Sequence, residues 1–289
     1  MEMQQSPPPL PGARKSRVWI VVVAVTAFVV VGLIALGVAG FVTFRRMQEK
    51  RAAQRQAMSE IENGAAEARA RIADSSQGGE IAGGGEAIEQ MKQQLEKSAS
   101  QVGSGDAAAI RASATFLGKM QAQVRDYEET VKRLTTAEMF SFNVRDKTMI
   151  DEHRQIVRDF LASNARITDT VQHSEELMGA ELDAAKVPAR TRQETLAGYK
   201  KSQIMIRPLQ LEIRRCDQAL GDAALAMLDL LETNWGKWRH DAASGAKEFD
   251  DDTTLAAHNA LIEKVQAAAA DQAAAQEKLV KVMRQAKAQ

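Results

Sequence analysis

The sequence has very little cysteine, aromatic side chain or proline, and each scarcity excludes a class of protein. Cys216 is the only cysteine among 289 residues, so an intrachain disulfide and a cysteine-ligated metal cluster are both excluded. Aromatic residues make up 4% of the chain, and Pro188 and Pro208 are the only prolines beyond residue 11. Alanine, glutamine and charged residues dominate instead, a composition that favours long helices over strands.

Net charge is also lacking, and so are the motifs of catalysis. Lys plus Arg equals Asp plus Glu at 38 each, so there is no basic domain that would bind nucleic acid. None of the four histidines has a glutamate three residues before it, which a di-iron site in a helical bundle requires. No phosphate-binding loop, zinc signature or nucleophile motif appears. We therefore expect no enzyme, no metal and no cofactor.

One long apolar run is present at residues 18–44, which contain no charged side chain. This run is long enough to cross the hydrocarbon core of a membrane, about 30 Å thick, as a helix. The sequence therefore predicts a single-pass transmembrane helix that makes the protein an integral membrane protein. The alternative is a cleaved signal peptide, since residues 38–40 loosely resemble a cleavage site, but the run far exceeds a signal core of about 7 to 15 residues.

Small residues recur along this apolar run and could form a contact between two copies. Gly32, Ala35 and Ala39 lie on one loosely small-residue face, which would let two membrane helices approach closely as a homodimer. Orientation is open, because Arg45 and Arg46 follow the run and favour a cytoplasmic bundle. An N-terminal anchor usually exports the chain behind it, so we expect a bacterial inner-membrane protein with a cytoplasmic N-terminus and a periplasmic bundle.

Composition divides the rest of the chain into segments. Residues 1–17 form a Pro-rich tail without apolar periodicity, which predicts disorder. Residues 45–74 are polar and helix-favouring, which predicts a solvated stalk. Residues 75–86 are rich in glycine, which predicts a flexible linker. Residues 87–289 have regular apolar spacing, and we expect them to form the folded domain.

The folded domain is predicted to be an all-α, antiparallel helical bundle with coiled-coil-like packing. A short helix is expected to end before Gly103, and four long amphipathic helices follow it with apolar residues every three or four positions. Short connections force neighbouring helices to run in opposite directions. The first long stripe consists of Ile110, Ala114, Leu117, Met120, Val124, Tyr127, Val131 and Leu134.

Local signals predict where these helices begin, bend and pack. Asp106, Thr148 and Thr191 stand at expected N-caps, and Pro208 predicts a kink because proline removes a backbone hydrogen bond. Cys216 is assigned to the apolar stripe of its helix as a small core residue. In the last helix the regular spacing falls on Gln272 and Gln276, which predicts a polar, loosely packed seam.

Four residues are candidate functional positions. Trp235 and Trp238 would share a helix face and either bind a partner or pack at the end of the bundle. His153 and His258 fall on apolar stripes, where they would be core residues or, if they face each other, a pH-sensitive pair.

These observations favour a protein that acts by binding. The leading hypothesis is a membrane-anchored helical-bundle scaffold, tether or assembly protein that works through protein partners or as a homodimer. The alternative is a membrane-anchored sensory bundle that responds to a small ligand or to pH through a partner protein.

Overall fold

The computed structural model describes residues 84–137, 144–240 and 247–285. Within these ranges the protein is all-α apart from one short hairpin. The helices are α1 (Gly84–Ala99), α2 (Ser104–Thr136), α3 (Lys147–Gln172), α4 (Ser174–Ala184), α5 (Ala189–Gln203), α6 (Arg207–Thr233) and α7 (Asp252–Gln285), and the strands are β1 (Trp238–His240) and β2 (Lys247–Phe249).

The predicted membrane helix at 18–44, its dimer face of Gly32, Ala35 and Ala39, and the stalk at 45–74 lie outside the described residues. In the described ranges, no helix has both the length and the apolar character needed to cross a membrane. Helix α1 begins at Gly84, inside the stretch predicted as linker, and the rest of that linker is also outside the described residues.

The described residues are all-α, as predicted for the folded domain, and contacts between helices show their relative directions. Asp126 and Arg133 of α2 pair with Arg166 and Asp159 of α3, so α2 and α3 run in opposite directions. On the far side, Lys278 of α7 lies 3.3 Å from Glu212 of α6. The chain therefore alternates in direction through α2, the α3 and α4 pair, the α5 and α6 pair, and α7.

Helix α2 lies at the centre of this arrangement. It packs against α1, α3, α4 and α5. All eight residues of its predicted apolar stripe are buried, and Leu117 and Val124 are 0% exposed. The spacing of three and four residues therefore identified the core face of α2 correctly, because such residues lie on one side of a helix.

Two neighbouring helices are interrupted at the same level of the bundle. The long helix predicted from Thr148 to Lys186 is divided at His173 into α3 and α4, and the next is divided at residues 204–206 into α5 and α6. Pro208 lies in the first turn of α6, so the predicted kink is a full interruption. Across the two interruptions, Arg207 Nη2 lies 3.3 Å from Ser174 Oγ.

The predicted helix starts need correction by a few residues. Asp146, not Thr148, caps α3, since its carboxylate accepts a 2.9 Å hydrogen bond from the Met149 backbone N–H. Helix α5 begins after Pro188, where the fixed backbone angle of proline favours a helix start, so Thr191 lies inside the helix. Asp106 lies in the first turn of α2, where its negative charge interacts favourably with the positive end of the helix dipole.

A β-hairpin that the sequence analysis did not predict lies between α6 and α7. Gly236 has a φ of 84°, a left-handed conformation that glycine adopts readily, and it leads the chain out of the helix. Strands β1 and β2 then pair antiparallel, with Trp238 opposite Phe249. Trp238 is therefore in a strand, and the expectation that it shares a helix face with Trp235 is wrong.

Candidate functional site

The most unusual feature of the bundle is an ion pair buried inside it. Arg214 and Asp217, one turn apart on α6, are 1% and 0% exposed. Their atoms Nη2 and Oδ2 are 3.0 Å apart. Burying a charged group costs free energy unless the group is paired and hydrogen-bonded. The side chains that pack around these two residues must therefore supply suitable partners.

Two other helices supply hydrogen bonds to the Asp217 carboxylate. From α2, the Tyr127 hydroxyl donates to Oδ2 at 2.9 Å. From α7, the Gln272 side-chain amide donates to Oδ1. Both residues are buried, so the carboxylate joins α2, α6 and α7 inside the core.

Arg214 is also held by its surroundings. Its guanidinium carbon lies 4.6 Å from the centre of the Tyr127 ring, a distance at which a cation is attracted to the face of an aromatic ring. Asn164 of α3 donates from Nδ2 to the Arg214 backbone carbonyl at 3.0 Å. Tyr127, Asn164, Arg214, Asp217 and Gln272 thus form one unit from four helices, called here the core network.

The protonation states in the core network follow from burial. Burial raises the pKa of Asp217 to about 6, even though Arg214 and the hydrogen bonds from Tyr127 and Gln272 favour the ionised form. Burial also raises the pKa of Tyr127 well above 10, so its hydroxyl stays protonated and remains a donor. Asp217 is therefore a buried carboxyl group that binds its proton more tightly than an exposed aspartate does.

The sequence analysis missed the charged half of this network. It assigned Cys216 to the apolar stripe, whereas Cys216 is only half-buried, and burial raises the pKa of its thiol to about 11. A strict alternation of four and three residues from Ile213 to Leu220 falls on Asp217, and this signal could have found it. Gln272 and Gln276 lie on the buried face of α7, as the predicted polar seam requires.

The two histidines predicted as candidates do not form a pair. His153 is buried on α3, and burial lowers its pKa. His258 is half-buried on α7, with its ring 5.0 Å from that of Phe249; burial lowers its pKa, and the nearby Lys247 charge lowers it further. Neither imidazole is among the groups that shift the pKa of the other.

Trp235 and Trp238 lie together at the end of the bundle. Their ring centres are 5.5 Å apart with the planes at 89°, an edge-to-face arrangement. The Trp238 indole N–H donates to the Leu231 carbonyl at 3.0 Å. Both rings also pack against the hydrophobic core, which favours a packing role over a free binding surface.

Neither a metal site nor a known relative assigns a function to this chain. Across residues 84–137, 144–240 and 247–285, no three His, Cys, Asp or Glu side chains are grouped so that they could hold a metal ion. Comparisons with protein-family models, curated proteins and solved structures found no match to this chain. Functional inference therefore rests on the geometry of the bundle itself.

Proposed function

We propose that this protein is a membrane-anchored helical-bundle scaffold, tether or assembly protein that acts by binding other proteins. The apolar run at 18–44 would hold it in the inner membrane of a bacterial envelope, with the bundle on the periplasmic side. The small residues Gly32, Ala35 and Ala39 would allow a homodimer within the membrane.

One observation carries this proposal: large apolar side chains are exposed beside the paired helix interruptions. Ile204 and Met205 are 67% and 61% exposed, and Leu177 of the neighbouring α4 is 40% exposed. Lys200 and Glu175, whose charged atoms are 3.7 Å apart, lie beside them. Exposed apolar residues next to charged ones are typical of protein contact surfaces, so we call Leu177, Ile204 and Met205 the contact patch.

The core network supports binding rather than catalysis as the mode of action. Its ionisable side chains Tyr127, Arg214 and Asp217 are each no more than 1% exposed, so a substrate would not reach them in this conformation. A catalytic acid or base must come within hydrogen-bond reach of the reacting group. The network is better suited to fixing how the helices pack.

Site-specific crosslinking in native membranes tests the contact patch. A photo-crosslinking amino acid at position 205 of the full-length chain should give defined adducts, either with a second copy or with another protein. The control position is Glu129, an exposed residue of α2 away from the patch. Equal adducts at both positions, or none at 205, would contradict the proposal.

Substitution of the contact patch provides the matching loss of function. The double variant Ile204→Gln and Met205→Gln should abolish the adducts formed from a crosslinker at position 177. Because both side chains are largely exposed, the variant should keep its thermal stability within about 0.5 kcal/mol. Adducts that survive the double substitution would show that the patch is not the contact surface.

The membrane anchor needs its own test. The full-length chain should stay with the membrane after alkaline extraction, and deletion of 18–44 should release it. A compartment-specific reporter fused after Gln289 should be active only in the periplasm; activity only in the cytoplasmic format would reverse the proposed orientation.

A second candidate function is a sensory bundle that responds to a ligand or to pH through a partner. The specific observation in its favour is the ionisable Asp217 in the core, which is hydrogen-bonded to residues of two other helices. Saturable stabilisation of the chain by a small molecule, without any adduct at position 205, would favour this candidate.

A further inference from the structure

Arg207 is a half-buried cation at the paired helix interruptions, where it forms the first residue of α6. Its Nη2 atom lies 3.3 Å from the hydroxyl oxygen of Ser174, a neutral group at the start of α4. Its Nε atom is buried and has no hydrogen-bond partner. A buried donor on a charged group normally has an acceptor, so Arg207 retains the capacity to bind one.

The hydroxyl of Tyr199 is a second buried donor beside Arg207. Tyr199 of α5 is 1% exposed, and its ring packs edge-to-face on Phe116 with the ring centres 6.0 Å apart. Burial raises the pKa of Tyr199 to about 12, while the neighbouring Ser174 and Arg207 act against that rise. The hydroxyl is therefore protonated, yet it has no hydrogen-bond partner at bonding distance and angle.

These donors converge from three helices on one place in the bundle. Ser174, Tyr199 and Arg207 belong to α4, α5 and α6. The Nε and Nη2 atoms form the edge of a guanidinium group that binds a carboxylate or a phosphate through two parallel hydrogen bonds. The first turn of α6 contains no acidic residue, so the positive end of its helix dipole adds to the charge of Arg207.

Glu175 is the acidic group that acts against an anion here, since its charge contributes to the raised pKa of Tyr199. Its carboxylate lies 3.7 Å from the ammonium group of Lys200, and its side chain is 35% exposed. The positive charge of Lys200 and the surrounding water therefore weaken its repulsion. Glu175 does not serve as the acceptor for Arg207, whose Nε atom has no partner.

We propose that Arg207 and Tyr199 form a binding site for a small soluble oxyanion, a carboxylate or a phosphate, at the paired helix interruptions. Arg207 binds the anion through Nε and Nη2, and the Tyr199 hydroxyl donates to the same anion. Ser174 positions the guanidinium. The bound anion links α5 to α6 beside the start of α4. This site gives the sensory candidate function a ligand class, and it does not depend on the contact patch.

Thermal unfolding of the full-length chain in non-ionic detergent micelles tests the site. Acetate and inorganic phosphate are the probes, added at constant ionic strength with chloride as the balancing ion. The unfolding temperature should rise saturably with the concentration of at least one probe, because a ligand that binds the folded state stabilises it. Mixed micelles that contain an anionic phospholipid form a separate arm, which distinguishes a lipid headgroup from a free ion.

Variants of the two donors identify the site. Arg207→Gln should weaken binding of the probe by roughly tenfold or more, because charge-assisted hydrogen bonds are lost. Tyr199→Phe keeps the ring against Phe116 and should weaken binding by about threefold to tenfold. The matched control is Arg215→Gln, which removes an exposed arginine from the same helix and should leave binding unchanged.

A purely structural role for Arg207 predicts different results. Without a probe, Arg207→Gln should unfold at the same temperature as the parent or higher, because it removes a buried donor that lacks an acceptor. If Arg207→Gln does not fold, Arg207→Lys replaces it, since lysine keeps the charge but loses the two-donor edge and should bind more weakly.

Three results would overturn the proposal. The first is a parent chain that responds to acetate and phosphate no more than to chloride. The second is an equal response in the parent and in the Arg207 variant. The third is stabilisation by the phospholipid without any response to the free ions. Adducts at position 205 do not enter this test, so it can fail while the proposed binding function stands.

Discussion

Helices α2 and α7 are of similar length but are held in the same bundle by different means. The face of α2 is closed by large apolar side chains and by the rings of Phe116 and Tyr127, and it packs against four helices. The buried face of α7 is mostly alanine and glutamine, with Val265 and Leu279 as its large apolar side chains, and Gln272 donates a hydrogen bond to Asp217 in the core.

This difference means that the stability of the bundle and the exact position of its helices depend on different interactions. Apolar burial contributes about 25 cal/mol per Å² whatever the relative rotation of two helices, and it does not depend on pH. A buried hydrogen bond contributes only where donor and acceptor meet, and an ionisable acceptor makes that contribution depend on protonation. We therefore expect α2 to determine how stable the bundle is and Asp217 to determine where α7 packs on it.

The largest expected effect comes from breaking the buried ion pair. Arg214→Met removes the cation and leaves the Asp217 carboxylate buried without its charge partner. Breaking a buried pair from one side costs about 3 to 5 kcal/mol, so chemical denaturation at neutral pH should show a loss of that order. Part of the loss should return on acidification, because protonation removes the unpaired charge.

The control for this variant removes both charges at once. Arg214→Met combined with Asp217→Leu should recover part of that loss, because it leaves no unpaired charge. It should stay less stable than the parent, because the buried Tyr127 hydroxyl and Gln272 amide lose their acceptor. A double variant as unstable as Arg214→Met alone would mean that the charges themselves are not the source of the cost.

The next effect compares identical substitutions on the two helices. Leu117 in α2 and Leu279 in α7 are both 0% exposed. Leucine-to-alanine changes cost about 2 to 5 kcal/mol, depending on how far the surroundings collapse into the cavity. Leu117→Ala should lie near the upper end, and Leu279→Ala near the lower end, because α7 can shift on α6. Equal losses of unfolding free energy would contradict the contrast.

The smallest effect concerns His153. Burial lowers its pKa, so the unfolded chain binds the proton more readily than the folded chain near pH 6.5. Its contribution to stability is therefore present above that pH and lost as the pH falls through the lowered pKa. His153→Gln should make the acid side of the stability profile less steep than in the parent. A His153→Gln profile as steep on the acid side as that of the parent would contradict this prediction.

The sequence predicted the fold class and most of the core because helical spacing is a local property. Every residue of the α2 stripe is buried as expected, and the interruption at Pro208 follows from the missing backbone donor of proline. The β-hairpin was missed because three-residue strands carry no periodic signal, and it depends on a register that pairs Trp238 with Phe249. Arg214 and Asp217 were missed because the side chains that stabilise these buried charges lie on other helices, and sequence spacing does not show which helices pack together.

Hydrogen exchange of the full-length parent at neutral pH, with increasing low concentrations of denaturant, tests this account most directly. If α7 is held mainly by the core network and by a face of small side chains, its residues 265–279 should exchange through a partial opening of the bundle. That opening should require a lower free energy than the global unfolding that exposes residues 110–134 of α2. Exchange of both helices at one common free energy, or greater protection of α7 than of α2, would contradict it.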